Sequence, residues 1–320
     1  VVEVKAPLGL PPLDIPADNP PTADTIALGR KLYYDTKLSA DNTVSCATCH
    51  SPGFGFTDGQ PVSTGVGGKK GGRSAPSVIN SAYYAVQFWD GRARTLEEQA
   101  AGPIANPIEM NLPHTVCIEK LRADPEYKAE FEKAFGPNPI TIDMVTKAVA
   151  SFERTVLSGN SPFDKYQYGG DKKAMSPSAV RGLALFKDVK KGNCAVCHTI
   201  DEKYALFSDS KFHNLGVGIN AKGELTDLGR YDQTKADPDR GAFKTPTLRH
   251  VAKTGPYMHD GSLKTLKDVI DFYVGGGNSN PQLDKEIREL KLTQQERADL
   301  VAFLEALTGE LPADVGPPKS

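Results

Sequence analysis

The chain has 320 residues, 39% of them hydrophobic and 24% charged, enough for about two ordinary domains with packed cores and too apolar for wholesale disorder. Lys and Arg number 38 against 40 Asp and Glu, and a net charge of −2 gives no electrostatic reason to expect nucleic acid as a partner. No apolar stretch approaches the ~20 residues of a membrane span. Gly (30) and Pro (24) are in excess, so the chain reads as loop-rich and in need of an organiser beyond secondary structure.

In chain order, residues 1–20 read as an N-terminal extension. Val1-Val2-Glu3-Val4 carries no secretory signal, which suggests a mature, processed chain. A short amphipathic helix with an internal glycine, Leu28-Gly29-Arg30-Lys31-Leu32-Tyr33-Tyr34-Asp35, runs by a loop into Cys46-Ala47-Thr48-Cys49-His50. Thr95-Leu96-Glu97-Glu98 fits a capping box. Asp124-Pro125 opens a helix that carries Tyr127, Phe131 and Phe135 and stops at Gly136. Ile142, Val145, Val149, Phe152 and Val156 recur at helical spacing. Turn residues across 158–170 mark a boundary between domains at 21–163 and 164–320. Beyond it the first pattern returns: Arg181-Gly182-Leu183-Ala184-Leu185-Phe186-Lys187-Asp188 precedes Cys194-Ala195-Val196-Cys197-His198. A second capping box, Thr293-Gln294-Gln295-Glu296, leads into a helix with Leu300, Phe303, Leu304 and Leu307. Convincing strands are scarce. The expected fold is mainly α, two cytochrome c-like domains with long loops and little sheet.

Four of the five cysteines lie in the two C-x-x-C-H pentapeptides, the attachment signature of c-type haem. Two intervening residues let one turn of chain carry both sulfurs to the vinyl groups while the adjacent His faces the iron. A zinc half-site or a thioredoxin-like redox pair are the other readings. Against them stand the separation of 46 from 194 and the lack of a βαβ setting. Two covalent c-type haems are expected, ligated by His50 and His198. Such maturation occurs outside the cytoplasmic membrane, so a periplasmic location is expected. The fifth cysteine, Cys117, reads as a buried small apolar residue.

Further segments then become recognisable. Phe88-Trp89-Asp90-Gly91-Arg92, Leu96-Glu97-Glu98-Gln99-Ala100 and Glu109-Met110-Asn111 closely resemble the bacterial di-haem cytochrome c peroxidase and MauG superfamily. Lys244-Thr245-Pro246-Thr247-Leu248-Arg249 and Gly255-Pro256-Tyr257-Met258-His259-Asp260-Gly261 extend the likeness across roughly residues 20–310. The resemblance implies that the N-terminal haem binds peroxide and the C-terminal haem passes electrons. It implies that Glu109 is the acid–base residue, that Gln99 lines the same pocket, that Trp89 carries electrons between the haems and that His259 meets a haem propionate. It also implies a calcium ion between the domains at Thr254, Pro256 and Ser74, with Ser74 standing where Asn is usual.

Two departures from the family pattern are visible. The loop Pro61-Val62-Ser63-Thr64-Gly65-Val66-Gly67-Gly68-Lys69-Lys70-Gly71-Gly72 holds Val66 where many members have an iron-ligating His, and no His occurs between His50 and His114. The first iron is therefore expected to keep an open or water-filled sixth position, with His114 a surface residue. At the second haem the position of the usual Met ligand is Tyr273, fourteen residues beyond His259, as in MauG-like members. Tyr273 is the expected sixth ligand, with Met258 the competing candidate. His213 is expected near the second haem and His250 at the surface. The function so implied is a peroxidase that reduces hydrogen peroxide with electrons from a c-type cytochrome or cupredoxin. A MauG-like enzyme oxidising Trp or Tyr of a partner protein is the alternative, and a non-catalytic electron carrier is the third reading. Homodimers are common in the family.

Overall fold

In the computed structural model, which describes residues 1–320, eleven α-helices and one two-stranded sheet are strung on long loops. The helices are α1 (Ala23–Tyr34), α2 (Cys46–Cys49), α3 (Leu96–Ala105), α4 (His114–Arg122), α5 (Pro125–Phe135), α6 (Ile142–Glu153), α7 (Pro162–Gln167), α8 (Pro177–Lys187), α9 (Tyr231–Thr234), α10 (Leu266–Val274) and α11 (Gln294–Glu305). Strands β1 (Phe212–His213) and β2 (Phe243–Lys244) pair antiparallel, with Phe212 opposite Lys244 and His213 opposite Phe243. The expected mainly α architecture is what the chain adopts.

Each half is organised by a helix that precedes C-x-x-C-H and crosses a later helix: α1 on α6, and α8 on α11. The internal glycines explain the crossings. A Cβ on Gly29 would lie 1.8 Å from the Ala148 carbonyl oxygen, and one on Gly182 would lie 2.0 Å from that of Asp299. Only glycine lets the backbones approach so closely. Next to each crossing a pair of aromatics packs alike, Tyr33 with Phe152 at 5.1 Å between ring centres and Phe186 with Phe303 at 5.0 Å. These rings anchor two separate apolar cores, one around Leu32, Phe56 and Val149, the other around Phe163, Phe207 and Leu304.

The duplication runs further than the helix-and-haem pattern. Phe88 and Met258 both take φ near +70°, and Gly91 and Gly261 follow with φ of +69° and +63°. Each turn is closed by a bridge, Gln87 with Ala93 and Tyr257 with Leu263, and is followed by a Thr N-cap, Thr95 for α3 and Thr265 for α10. Trp89 and His259 thus occupy equivalent places in the two halves.

Some local expectations are met and others revised. Helix α5 runs from Pro125 to Phe135 and ends at Gly136, and Thr293 with Glu296 forms a full capping box. At α3 only half of the expected box forms. Thr95 accepts from the Glu98 amide, but the Glu98 carboxylate accepts instead from the Arg94 amide. The turn-rich segment 158–170 contains α7, because Ser161 and Asp164 cap it reciprocally and Pro162 starts it. Cys117 is buried as expected. His250 is not at the surface: its left-handed turn points the ring inward, where Nδ1 and Ser158 Oγ are hydrogen-bonded at 2.9 Å. His114, expected at the surface, is half-buried and donates from Nε2 to the Ala101 carbonyl.

The halves also exchange their ends. Gly9, in the N-terminal extension, accepts from the Ala205 amide and from the Arg249 guanidinium of the second half. The C-terminal tail returns to the first half, where Val315 joins the core and Gly316 accepts from Arg30. Residues 1–20 and the end of 164–320 thus span the junction rather than belonging to one half.

Candidate functional site: two haem centres

The first attachment motif is one helical turn. At the start of α2 the Thr48 hydroxyl accepts from the Ser45 amide at 2.9 Å, and the His50 amide donates to the Cys46 carbonyl at 3.0 Å. The second folds alike, with the His198 amide donating to the Cys194 carbonyl at 3.0 Å. All four cysteines are free of disulfides. Burial pushes the Cys49 thiol up to about 11 and the Cys194 thiol to about 12, and raises Cys46 further still. The sulfurs are reduced thiols, the form that adds to a vinyl group.

The two histidines are prepared for iron in the same way. His50 Nδ1 donates to the Pro76 carbonyl at 2.9 Å, and His198 Nδ1 donates to the Phe207 carbonyl at 2.8 Å. A carbonyl only accepts, so each ring carries its proton on Nδ1 and leaves Nε2 with a free lone pair. Burial lowers both pKa values below the usual histidine value, which keeps the rings neutral as ligands must be.

Beside the second motif lies a cleft of about 2040 Å³, its open mouth included. Phe186, Leu266, Val269, Ile270, Leu300 and Leu304 supply its apolar walls, and Cys194, Cys197 and His198 stand at one side. Tyr273 enters the same space from α10. Burial pushes its hydroxyl well above the ordinary phenol value. Met258 lines the cleft as well. The structure therefore brings both candidate ligands to one cavity.

The polar lining fits a group that carries carboxylates. Lys244 is 6% exposed, has no acidic partner, and places its amine 3.2 Å from the Tyr84 ring centre. Burial alone brings its pKa down to about 7. An orphaned buried amine of this kind asks for an anion, and a haem propionate is one. His259 is 4% exposed and stacks on Phe243 at 3.6 Å. Cys197, Asp209 and His213 lie within 4.8 Å of one another, but a thioether at Cys197 removes the sulfur a metal ion there would need. The donor set and the apolar walls suit covalent haem.

Trp89 stands where the two halves meet. Its Nε1 donates to the Ser74 carbonyl at 2.9 Å, its own carbonyl accepts from the Lys244 amide at 2.8 Å, and the Ser74 amide donates to the His259 carbonyl. It lines the second cleft from the first-half side. Ser74, Thr254 and Pro256 line the same cleft.

Glu109 follows α3 in a turn close to the first motif. Its charge acts on both Cys46 and Cys49, and burial raises its pKa while Arg92 and the Asn106 side chain oppose the rise. The glycine loop holds it from behind. The Val66 amide donates to the Glu109 carbonyl at 2.9 Å, and Gly65 packs so tightly that a Cβ would lie 1.9 Å from the Ile108 carbonyl oxygen. Val66 is turned into the first core and is 5% exposed. Arg92, which sequence reasoning passed over, lies flat over Phe88 at 3.6 Å and contacts Asp90 at 3.2 Å. Gln99 is half-buried on α3, and its side chain makes no hydrogen bond within the protein. A Phe-Lys-Thr-Pro string marks Lys244 in the sequence, but nothing local says that it is buried.

Comparison with known proteins agrees with this geometry. The sequence profile of the di-haem cytochrome c peroxidase family matches residues 23–173, and a cytochrome c profile matches 179–308. The cytochrome-c peroxidase IdrP1 of Denitromonas iodatirespirans is 40% identical over 94% of this chain and 86% of its own. The methylamine utilization protein MauG of Methylorubrum extorquens is 42% identical over 92% and 81%. The crystal structure of a MauG-like protein associated with microbial copper homeostasis superposes with a TM-score of 0.87, at 34% identity over 98% of both chains. A chain so related along nearly its whole length belongs to the di-haem cytochrome c peroxidase (MauG) family, and it is a haem peroxidase.

Proposed function

We propose that this protein reduces hydrogen peroxide to water at the His50 centre, in the periplasm. A small c-type cytochrome or cupredoxin delivers electrons singly through the His198 centre. The observation that carries this reading is the placement of Glu109, a half-buried carboxyl held by its backbone beside the first attachment motif. Haem held by Cys46, Cys49 and His50 would supply redox-active iron for cleavage of the O–O bond. Glu109 takes a proton from one peroxide oxygen and returns it to the other, so that the leaving oxygen departs as water. Burial against Arg92 and Asn106 tunes the carboxyl for both directions of transfer. Gln99 lines the same pocket. Trp89 offers its indole as the electron path between the centres, braced by Ser74 and Lys244. His259, stacked on Phe243, and Lys244 would hold a propionate.

The enzyme works without prior reduction. Support comes from Val66, which occupies the loop position of the missing ligand and is packed into the core, and from His114, whose Nε2 is spent on a backbone carbonyl. Paramagnetic resonance of the ferric protein is expected to show a high-spin first haem; an all-low-spin spectrum would refute the open site. Glu109→Gln is expected to lower turnover of peroxide with a reduced cytochrome by about 10²–10⁴-fold. Unchanged turnover would overturn the acid–base assignment.

A second reading is favoured by Tyr273, whose phenol shares the cleft with both cysteine sulfurs. As a ligand of the second haem it would stabilise ferric iron and lower the potential, the condition for withdrawing electrons from Trp or Tyr of a partner protein. The likeness to MauG supports the same reading. Calcium binding at Ser74, Thr254 and Pro256 is supported by their lining one cleft together.

A further inference from the structure

Strand β1 brings His213 to the second cleft between two carboxylates. Its Nε2 is 2.8 Å from Asp209 Oδ2 and its Nδ1 is 2.7 Å from Asp284 Oδ2. Ionised carboxylates accept only, so both ring nitrogens donate and the ring is an imidazolium. The two carboxylates accordingly hold its pKa above the ordinary histidine value, with Asp209 the largest cause. Each carboxylate is itself fixed, Asp209 by the Lys211 amide at 2.8 Å and Asp284 by the Glu286 amide at 2.9 Å. The three side chains are only 10–19% exposed, so solvent screens them weakly. Asp209 and His213 stand at the Cys197 sulfur, an oxygen of the one and a ring nitrogen of the other within 4.8 Å of it, and Asp284 closes on the far ring nitrogen.

We propose that Asp209, His213 and Asp284 form a fixed-charge triad that sets the reduction potential of the second haem from beside the Cys197 thioether. The inference is independent of the proposed reaction and depends only on haem being attached at Cys197. One cation between two anions leaves a net charge of −1, which favours ferric over ferrous iron. His213 moderates that field, and either carboxylate strengthens it. Removing the cation and removing an anion therefore move the potential in opposite directions. Lys244, on the neighbouring strand, is present in every variant and does not alter the comparison.

The test is spectroelectrochemical titration of the holoenzyme, resolving the two haems. His213→Gln is expected to shift the second haem's midpoint downward and Asp284→Asn to shift it upward. His213→Lys, which keeps the cation, is expected to stay near wild type, and the first haem's midpoint is unmoved throughout. An unshifted second haem, or shifts of the same sign in His213→Gln and Asp284→Asn, would overturn the proposal and leave the triad as a clasp. Failure of all three variants to attach a second haem, counted by pyridine haemochrome, would overturn it equally.

Discussion

Gly65→Ala tests whether the glycine loop positions Glu109, because it perturbs the acid without touching its side chain. The added Cβ would sit 1.9 Å from the Ile108 carbonyl oxygen and 2.6 Å from that of Glu109. Ordinary Cβ contacts begin near 3.4 Å, so the loop and the 108–109 backbone must separate by about 1.5 Å. That movement strains the bond from the Val66 amide to the Glu109 carbonyl. A misplacement of about 1 Å at a catalytic group costs on the order of 10²-fold, which is about 2.7 kcal/mol of barrier. Overpacking of this kind also destabilises by about 1–3 kcal/mol. The assay is kcat/KM for peroxide with a reduced cytochrome, alongside the ferric spectra of both haems. A roughly hundredfold loss is expected, with the second haem's spectrum unchanged. Gly72→Ala is the control, since its Cβ meets nothing within 4 Å and its backbone is not left-handed. Turnover of Gly65→Ala within twofold of wild type, or an equal loss in Gly72→Ala, would refute the positioning role of the loop.

Three further outcomes follow from particular side chains. Glu153 on α6 is buried beside Tyr33 and Cys46, and burial raises its pKa to about 8. Its folded pKa exceeds the unfolded value, so the native state binds more protons between about pH 4.5 and 8, and stability falls as pH rises through that window. At 1.36 kcal/mol per unit the penalty approaches roughly 5 kcal/mol above pH 8; Glu153→Gln is expected to flatten this slope in denaturant titrations, and an unchanged slope would refute the assignment. Arg249 and Asp164 form an ion pair with both side chains fully buried, covered by Gly9, so Asp164→Ala strands a guanidinium and is expected to cost about 3–5 kcal/mol in equilibrium unfolding. A loss below 1 kcal/mol would mean that water reaches the arginine. Tyr273→Phe is expected to change the low-spin signal of the second haem and leave the first alone, and an unchanged spectrum would point to Met258.

The chemistry of haem attachment was legible in the sequence because it is local. Five residues carry both sulfurs and the ligand, and one helical turn suffices to present them. The same holds for the glycines at 29 and 182, for α5 between Pro125 and Gly136, and for the absence of histidine from 51 to 113. What the tertiary structure alone decided is what each polar group faces. Lys244 lacks an acid because β2 buries it with its amine over the Tyr84 ring. His213 is charged because Asp284, 71 residues away, closes on it. His250 is buried because a left-handed turn aims it at Ser158, and the two termini cross to opposite halves through Gly9 and Val315. Such partners are set by contacts between distant segments, and a pattern of period three or four carries no information about them. The near-neutral composition likewise hid the charges that count, because those are paired, or left unpaired, inside the fold.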